Sequence, residues 1–94
     1  MSIPVYAINK SIMVSESVLV PNAQFFLGFS AAKQPITPTE TYAEVDAING
    51  NADLYRIGIL FGRASTYKAF IYLADTFSYC VPKEILDLIK GVYK

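Results

Sequence analysis

The sequence predicts one small α+β domain, and three features of its 94 residues indicate this class. The N-terminal third is rich in β-branched residues, a helix-capping signal begins at Thr37, and an amphipathic segment ends the chain. A chain of this length has room for a single hydrophobic core. We therefore expect residues 1–94 to form one domain.

The N-terminal third is predicted to form short strands. Valine and isoleucine recur between Val5 and Val20, and prolines stand at positions 4 and 21. β-Branched side chains favour the extended backbone, and prolines are typical of strand ends. The run from Phe25 to Phe29 suits a third strand and a buried helical turn equally, because its apolar pattern fits both periods.

Residues 38–49 carry the clearest local signal, which is the start of a helix. Thr37 is a favourable N-cap, Pro38 suits the first helical position, and Glu40 stands three residues past the cap. This arrangement is a capping box, in which cap and third residue bond each other's backbone N–H groups. An Asn-Gly pair at 49–50 supplies a left-handed stop.

Residues 54–73 are predicted to form a β-hairpin. Aromatic and β-branched side chains occupy every second position from Tyr55 to Phe61, as in a strand. The glycines at 58 and 62 would cost a helix about 1 kcal/mol each relative to alanine. The alternative is two helices, the second capped by Ser65, which would make the second half of the chain mostly helical.

The spacing of Gly58 and Gly62 also matches the small-residue pattern of close helix contacts in membranes. The apolar run around them is too short for a membrane span, so we interpret both as structural glycines of a strand or turn.

The end of the chain is predicted to be a helix over residues 82–92. Pro82 opens it, charged side chains recur on one face, and Ile85 and Ile89 lie on the other. The core of the whole domain is expected to draw on Val5, Val18, Phe26, Val45, Ile57, Ile59, Phe70, Ile71, Ile85 and Ile89.

Composition narrows the function classes. The formal net charge is zero, with eight basic and eight acidic residues, so nucleic acid is not an expected partner. Histidine is absent and cysteine occurs once, at Cys80, which disfavours metal sites and imidazole catalysis. We expect no cofactor and no metal, and an enzyme is the least favoured class.

The chain also has no signal-peptide pattern and no apolar run of about 20 residues, so no membrane association is expected. A single cysteine is unusual in a small exported domain. These observations predict a soluble, cytoplasmic protein.

The leading hypothesis is a non-catalytic interaction protein. Hydrophobic residues make up 53% of the chain, including seven Tyr and six Phe, which is more than a small core is expected to absorb. Zero net charge removes a repulsion that opposes self-association. We expect either a subunit of a homo-oligomeric assembly or a small accessory factor that binds and modulates another protein.

The alternative function is binding of a small ligand or nucleotide near residues 62–66. If this segment opened a helix, backbone N–H groups, two hydroxyls and a guanidinium would face an anion. The candidate residues are Arg56, Arg63, Ser65, Thr66 and Tyr67.

Overall fold

The computed structural model describes residues 5–9, for which it gives the backbone, and residues 12–32, 34–48 and 53–93. Strands β1 and β2 span Val5–Asn9 and Ile12–Ser15. Six α-helices follow: α1 Glu16–Leu19, α2 Ala23–Ala31, α3 Pro38–Ile48, α4 Leu54–Arg63, α5 Tyr67–Thr76 and α6 Lys83–Ile89. Short 3-10 turns at Val20–Asn22 and Lys90–Val92 continue α1 and α6. The domain is mostly helical, so the α+β prediction is confirmed only by its first two strands.

The two strands form an antiparallel pair in which Val5 pairs with Ser15 and Ala7 with Met13. Ile12 and Val14 are buried and Met13 is exposed, which is the alternation expected of a half-buried strand. The predicted strand character ends at Ser15. After Ser15 the chain is helical. The acidic Glu16 is favourable in the first turn of α1, where the helix dipole is positive, and Pro21 is favourable at the start of the 3-10 turn. Val18 and Val20 therefore lie in helical segments and not in a strand.

Helices α2 and α4 form the closest pair, and the Phe25–Phe29 run is therefore helical. A Cβ atom added at Gly28 would overlap the Tyr55 carbonyl oxygen, and one at Gly58 would overlap the Phe25 carbonyl oxygen. These glycines let the two backbones touch. Gly62 meets the carbonyl of Phe29, so the contacts advance along both helices together and α2 runs parallel to α4.

The hairpin predicted over residues 54–73 is wrong, and the alternative of a mostly helical second half is correct. Asp53 caps α4 by accepting a hydrogen bond from the Arg56 amide at 2.8 Å. Burial in α4 falls on positions 57, 58, 60 and 61, which is helical spacing. The propensity cost of the glycines is offset because their missing side chains permit the contact with α2.

Helix α3 confirms the predicted capping box. The Thr37 hydroxyl accepts from the Glu40 amide at 3.1 Å, and the Thr37 amide donates to the Glu40 carboxylate at 3.3 Å. The helix ends at Ile48, and the Asn-Gly stop expected at 49–50 lies outside the described residues.

Helices α5 and α6 complete the core. Thr66, one residue later than the predicted Ser65, caps α5 by accepting from the Ala69 amide at 3.1 Å. The helix predicted over 82–92 is confirmed as α6 with its 3-10 extension, although Pro82 stands at the N-cap and not inside the helix.

Tyr93, just after the C-terminal 3-10 turn, contacts both α4 and α5. Its hydroxyl donates to the Phe61 carbonyl in the final turn of α4, where helical carbonyls lack partners of their own. Its ring stacks on Phe70 with centroids 4.7 Å apart. Burial raises the pKa of the Tyr93 hydroxyl above that of an ordinary tyrosine.

The predicted core is largely confirmed. Val18 and Val45 pack half-buried against it and Ile59 is half-buried, whereas Ile71 is 46% exposed and was wrongly assigned. Packing of α5 buries the side that carries Ala69, Phe70 and Leu73, and Ile71 lies outside that side. The Val5 side chain lies outside the described residues. The predicted core residues that are fully buried are Phe26, Ile57, Phe70, Ile85 and Ile89.

Candidate functional site

A groove of ≈ 270 Å³ lies between α3 and α4. Its walls combine charged and apolar side chains, and the lining residues are Glu44, Ala47 and Ile48 from α3 with Arg56, Ile59, Leu60 and Arg63 from α4. We call this feature the α3–α4 groove.

The α4 wall of the groove follows directly from helical spacing. Arg56, Ile59, Leu60 and Arg63 stand at i, i+3, i+4 and i+7, which places them on one side of a helix. Gly58 and Gly62 lie on the side that meets α2. The same helix therefore packs tightly on one side and borders a groove on the other.

Arg63 is held in place by a short pairing between two segments. The Arg63 Nε donates to the Gln34 carbonyl at 3.1 Å, and the Ile36 amide donates to the Arg63 carbonyl at 2.9 Å. Ile36 also forms a parallel bridge with Ala64, and the Ser65 hydroxyl donates to the Ile36 carbonyl at 2.9 Å. We call this arrangement the 34–36 clamp. It uses one donor of the Arg63 guanidinium and leaves its terminal N–H groups for other partners.

The clamp also sets the direction of α3 against α4. Because Ile36 precedes α3 and Ala64 follows α4, the start of α3 lies beside the end of α4. The two helices thus run antiparallel along the groove. Within the described part of the chain, the Arg56 guanidinium and the Glu44 carboxylate have no hydrogen bond or ion pair, and both residues are exposed.

Of the residues predicted to bind an anion, the structure brings Arg56 and Arg63 together on the groove and places Ser65, Thr66 and Tyr67 elsewhere. The Ser65 and Thr66 hydroxyls bond the Ile36 carbonyl and the Ala69 amide. Tyr67 is 43% exposed and packs its ring near Phe70.

The segment 62–66 opens a helix only at its last residue, because Thr66 is the N-cap of α5. Gly62 and Arg63 form the carboxyl end of α4, where the helix dipole is negative and disfavours an anion on the backbone. Any anion held here depends on the arginine side chains.

Sequence reasoning missed Glu44, Ala47, Ile48, Ile59 and Leu60 as lining residues. For Ile59 and Leu60 the signal was their helical spacing between Arg56 and Arg63, which becomes visible only when residues 54–63 are taken as a helix. The three α3 residues had no local signal, because they join the lining through the packing of α3 against α4.

Cys80 is half-buried and free. Burial raises the pKa of its thiol, and the thiol donates to the Phe77 carbonyl at 3.6 Å. A protonated thiol is a poor nucleophile.

A second surface feature is the outer side of α2. Gln24, Leu27, Ser30 and Ala31 are exposed there, and none is charged. Leu27 is 56% exposed, and Val20, just before the helix, is 65% exposed. We call this surface the α2 face. Across residues 12–32 the single charged side chain is Glu16.

Comparison with protein-family models, curated proteins and solved structures finds no match to this chain. Among the described residues, no helix combines the length and apolarity needed to cross a bilayer.

Proposed function

We propose that this protein is a non-catalytic interaction protein that associates with a second copy of itself through the α2 face. The observation that carries the proposal is the exposure of Leu27 in a helix without charged side chains. Two exposed tyrosines of the second half have a basic residue as their next neighbour in the chain, Arg56 after Tyr55 and Lys68 after Tyr67. The α2 face has no such neighbours within its helix.

Symmetry favours an uncharged surface for self-association. In a two-fold interface the same patch meets itself, so a charge near the axis opposes a like charge. The α2 face avoids that repulsion, and a net charge of zero adds none at long range. The free Cys80 supports a cytoplasmic location, since small exported domains usually carry disulfides.

The expected dimer is weak. Helix α2 has nine residues and is about 14 Å long, which is short for an interface of about 1,200–2,000 Å². We expect a dissociation constant on the order of 100 μM, with Val20 and neighbouring residues extending the contact.

Sedimentation and light scattering across a concentration series test the proposal. The mass should rise from 10.4 kDa toward twice that value as concentration increases. Leu27→Lys should weaken association at least about tenfold, because it places a charge in the apolar contact. Tyr79→Lys is the matched control: it adds the same charge at an apolar residue that is 71% exposed outside the α2 face.

A monomer at every concentration would overturn self-association, and so would equal effects of the two lysine variants. A monomer would also leave the accessory-factor role, in which another protein covers the same face, as the remaining interaction hypothesis.

A further inference from the structure

We propose that the α3–α4 groove binds a small organic acid with an apolar body, and that Arg63 holds its carboxylate. This inference is separate from self-association, since the groove residues are not part of the α2 face.

The charges of the groove favour an anion. Arg56 and Arg63 contribute two positive charges and Glu44 one negative charge, so a monocarboxylate would neutralise the lining. Guanidinium groups bind carboxylates through two parallel N–H bonds, which gives them geometric preference as well as attraction.

Arg63 is the better placed of the two arginines. Its Nε bond to the Gln34 carbonyl and the backbone bond between Arg63 and Ile36 restrict its motion before any ligand arrives. A restricted side chain loses less conformational entropy on binding. Arg56 stands two helical turns away, about 10 Å along α4, and acts mainly by adding positive potential at the other end.

The space between the arginines is apolar. Ala47 and Ile48 line one wall, and Ile59 and Leu60 line the other. Ile48 and Ile59 are half-buried, so a ligand body placed between them would remove further apolar surface from water.

The size of the groove limits the ligand. A cavity of about 150 Å³ is enough to hold benzene. The groove of ≈ 270 Å³ therefore suits one ring with a short acidic chain, or an aliphatic acid of similar size.

Glu44 makes the proposal specific. A carboxylate ligand is repelled by Glu44, whereas an amino acid would use Glu44 to bind its ammonium group. Glu44→Gln should therefore tighten the binding of a simple carboxylate and weaken that of the matching amino acid. Those opposite signs separate the two ligand classes.

The experiment is a titration of ¹⁵N-labelled protein with 3-phenylpropionate, followed by amide chemical shifts. We expect saturable shifts at the residues of the groove. The amide of the same acid and inorganic phosphate should bind more weakly, because the first lacks the free carboxylate and the second lacks an apolar body. L-Phenylalanine is the comparison amino acid, and tighter binding of it than of 3-phenylpropionate would overturn the proposal.

Arg63→Gln should weaken 3-phenylpropionate binding about tenfold or more, as expected for loss of a charge-assisted pair. Lys68→Gln removes one positive charge from α5, outside the groove lining, and should change binding less than about twofold. Arg63→Lys keeps the charge but lacks the planar guanidinium group, so its affinity for 3-phenylpropionate should lie between those of Arg63→Gln and Lys68→Gln.

Equal binding of the acid and its amide would overturn the proposal. Unchanged binding in Arg63→Gln would do the same, as would weaker acid binding in Glu44→Gln. If Arg63→Gln fails to fold, the sign of the Glu44→Gln effect and the acid-to-amide ratio in the native protein still decide the question.

Discussion

Helix α4 meets α2 and α3 in different ways. Toward α2 it presents Gly58 and Gly62, and the backbones touch. Toward α3 it presents Arg56, Ile59, Leu60 and Arg63, and a groove remains. A single ten-residue helix thus forms the tightest contact and one wall of the candidate binding site.

The difference shows how side-chain size sets the distance between helices. Without a Cβ atom on either partner, carbonyl oxygens of one helix approach the Cα atoms of the other, and no ligand space is left. Where branched and long side chains meet, the helix axes stay farther apart. We expect stability to depend mainly on the α2 side and ligand binding on the α3 side.

The largest predicted effect is that of Gly58→Ala on the α2 side. The new methyl group would overlap the Phe25 carbonyl, so the helices must separate, and we expect a loss of about 3 kcal/mol in the free energy of unfolding. Urea denaturation measures it.

Gly91→Ala is the control, because an added Cβ there has no neighbour within 4 Å. It should leave stability unchanged or raise it by up to about 1 kcal/mol. If both variants were equally stable, the close α2–α4 contact would be disproved.

The next prediction concerns the carboxyl end of α4. Tyr93→Phe removes the hydroxyl that bonds the Phe61 carbonyl and leaves that carbonyl without this partner, which should cost about 1–3 kcal/mol. Tyr55→Phe makes the same chemical change at an exposed tyrosine and should be nearly neutral.

The Tyr93 effect should depend on pH. Burial raises its pKa in the folded state, while the unfolded chain keeps the ordinary value of about 10. The folded form holds the proton more tightly, so this contribution is complete below about pH 10 and is lost as pH rises above that value. The stability difference between native protein and Tyr93→Phe should therefore shrink at alkaline pH, and a constant difference would contradict the assignment.

The smallest predicted effect lies on the α3 side. Thr37→Ala removes the cap of α3 and should cost about 1 kcal/mol. Thr39→Ala makes the same chemical change at the exposed second residue of α3 and should be nearly neutral. Thermal unfolding compares the two variants directly. Similar melting temperatures would show that the capping box does not stabilise the domain.

Local signals in the sequence were sufficient for some elements. The Thr37–Glu40 capping box predicted α3 because its hydrogen bonds are made within four residues. The final helix was predicted from the spacing of Ile85 and Ile89, both fully buried. The first strands followed from their β-branched residues.

The region 54–73 could not be assigned from local preference alone. Glycine lowers the helix propensity of α4, and the compensating contact comes from Phe25, Gly28 and Phe29 in a distant segment. The lining of the α3–α4 groove could not be predicted for the same reason. Arg56 and Arg63 were chosen as potential anion ligands, but their apolar partners and Glu44 come together only when α3 lies against α4.

The parallel contact between α2 and α4 has a consequence for the order of folding during synthesis. Helix α3 lies between α2 and α4 in the chain. It brings the chain back to the amino end of α2, so that α4 can pack parallel to α2. Before α4 is synthesised, Phe25 and Phe29 lack the contacts with Phe61 and Gly58 that they make in the folded domain. We therefore expect the nascent chain to be more prone to aggregation before α4 emerges than after α4 has packed against α2.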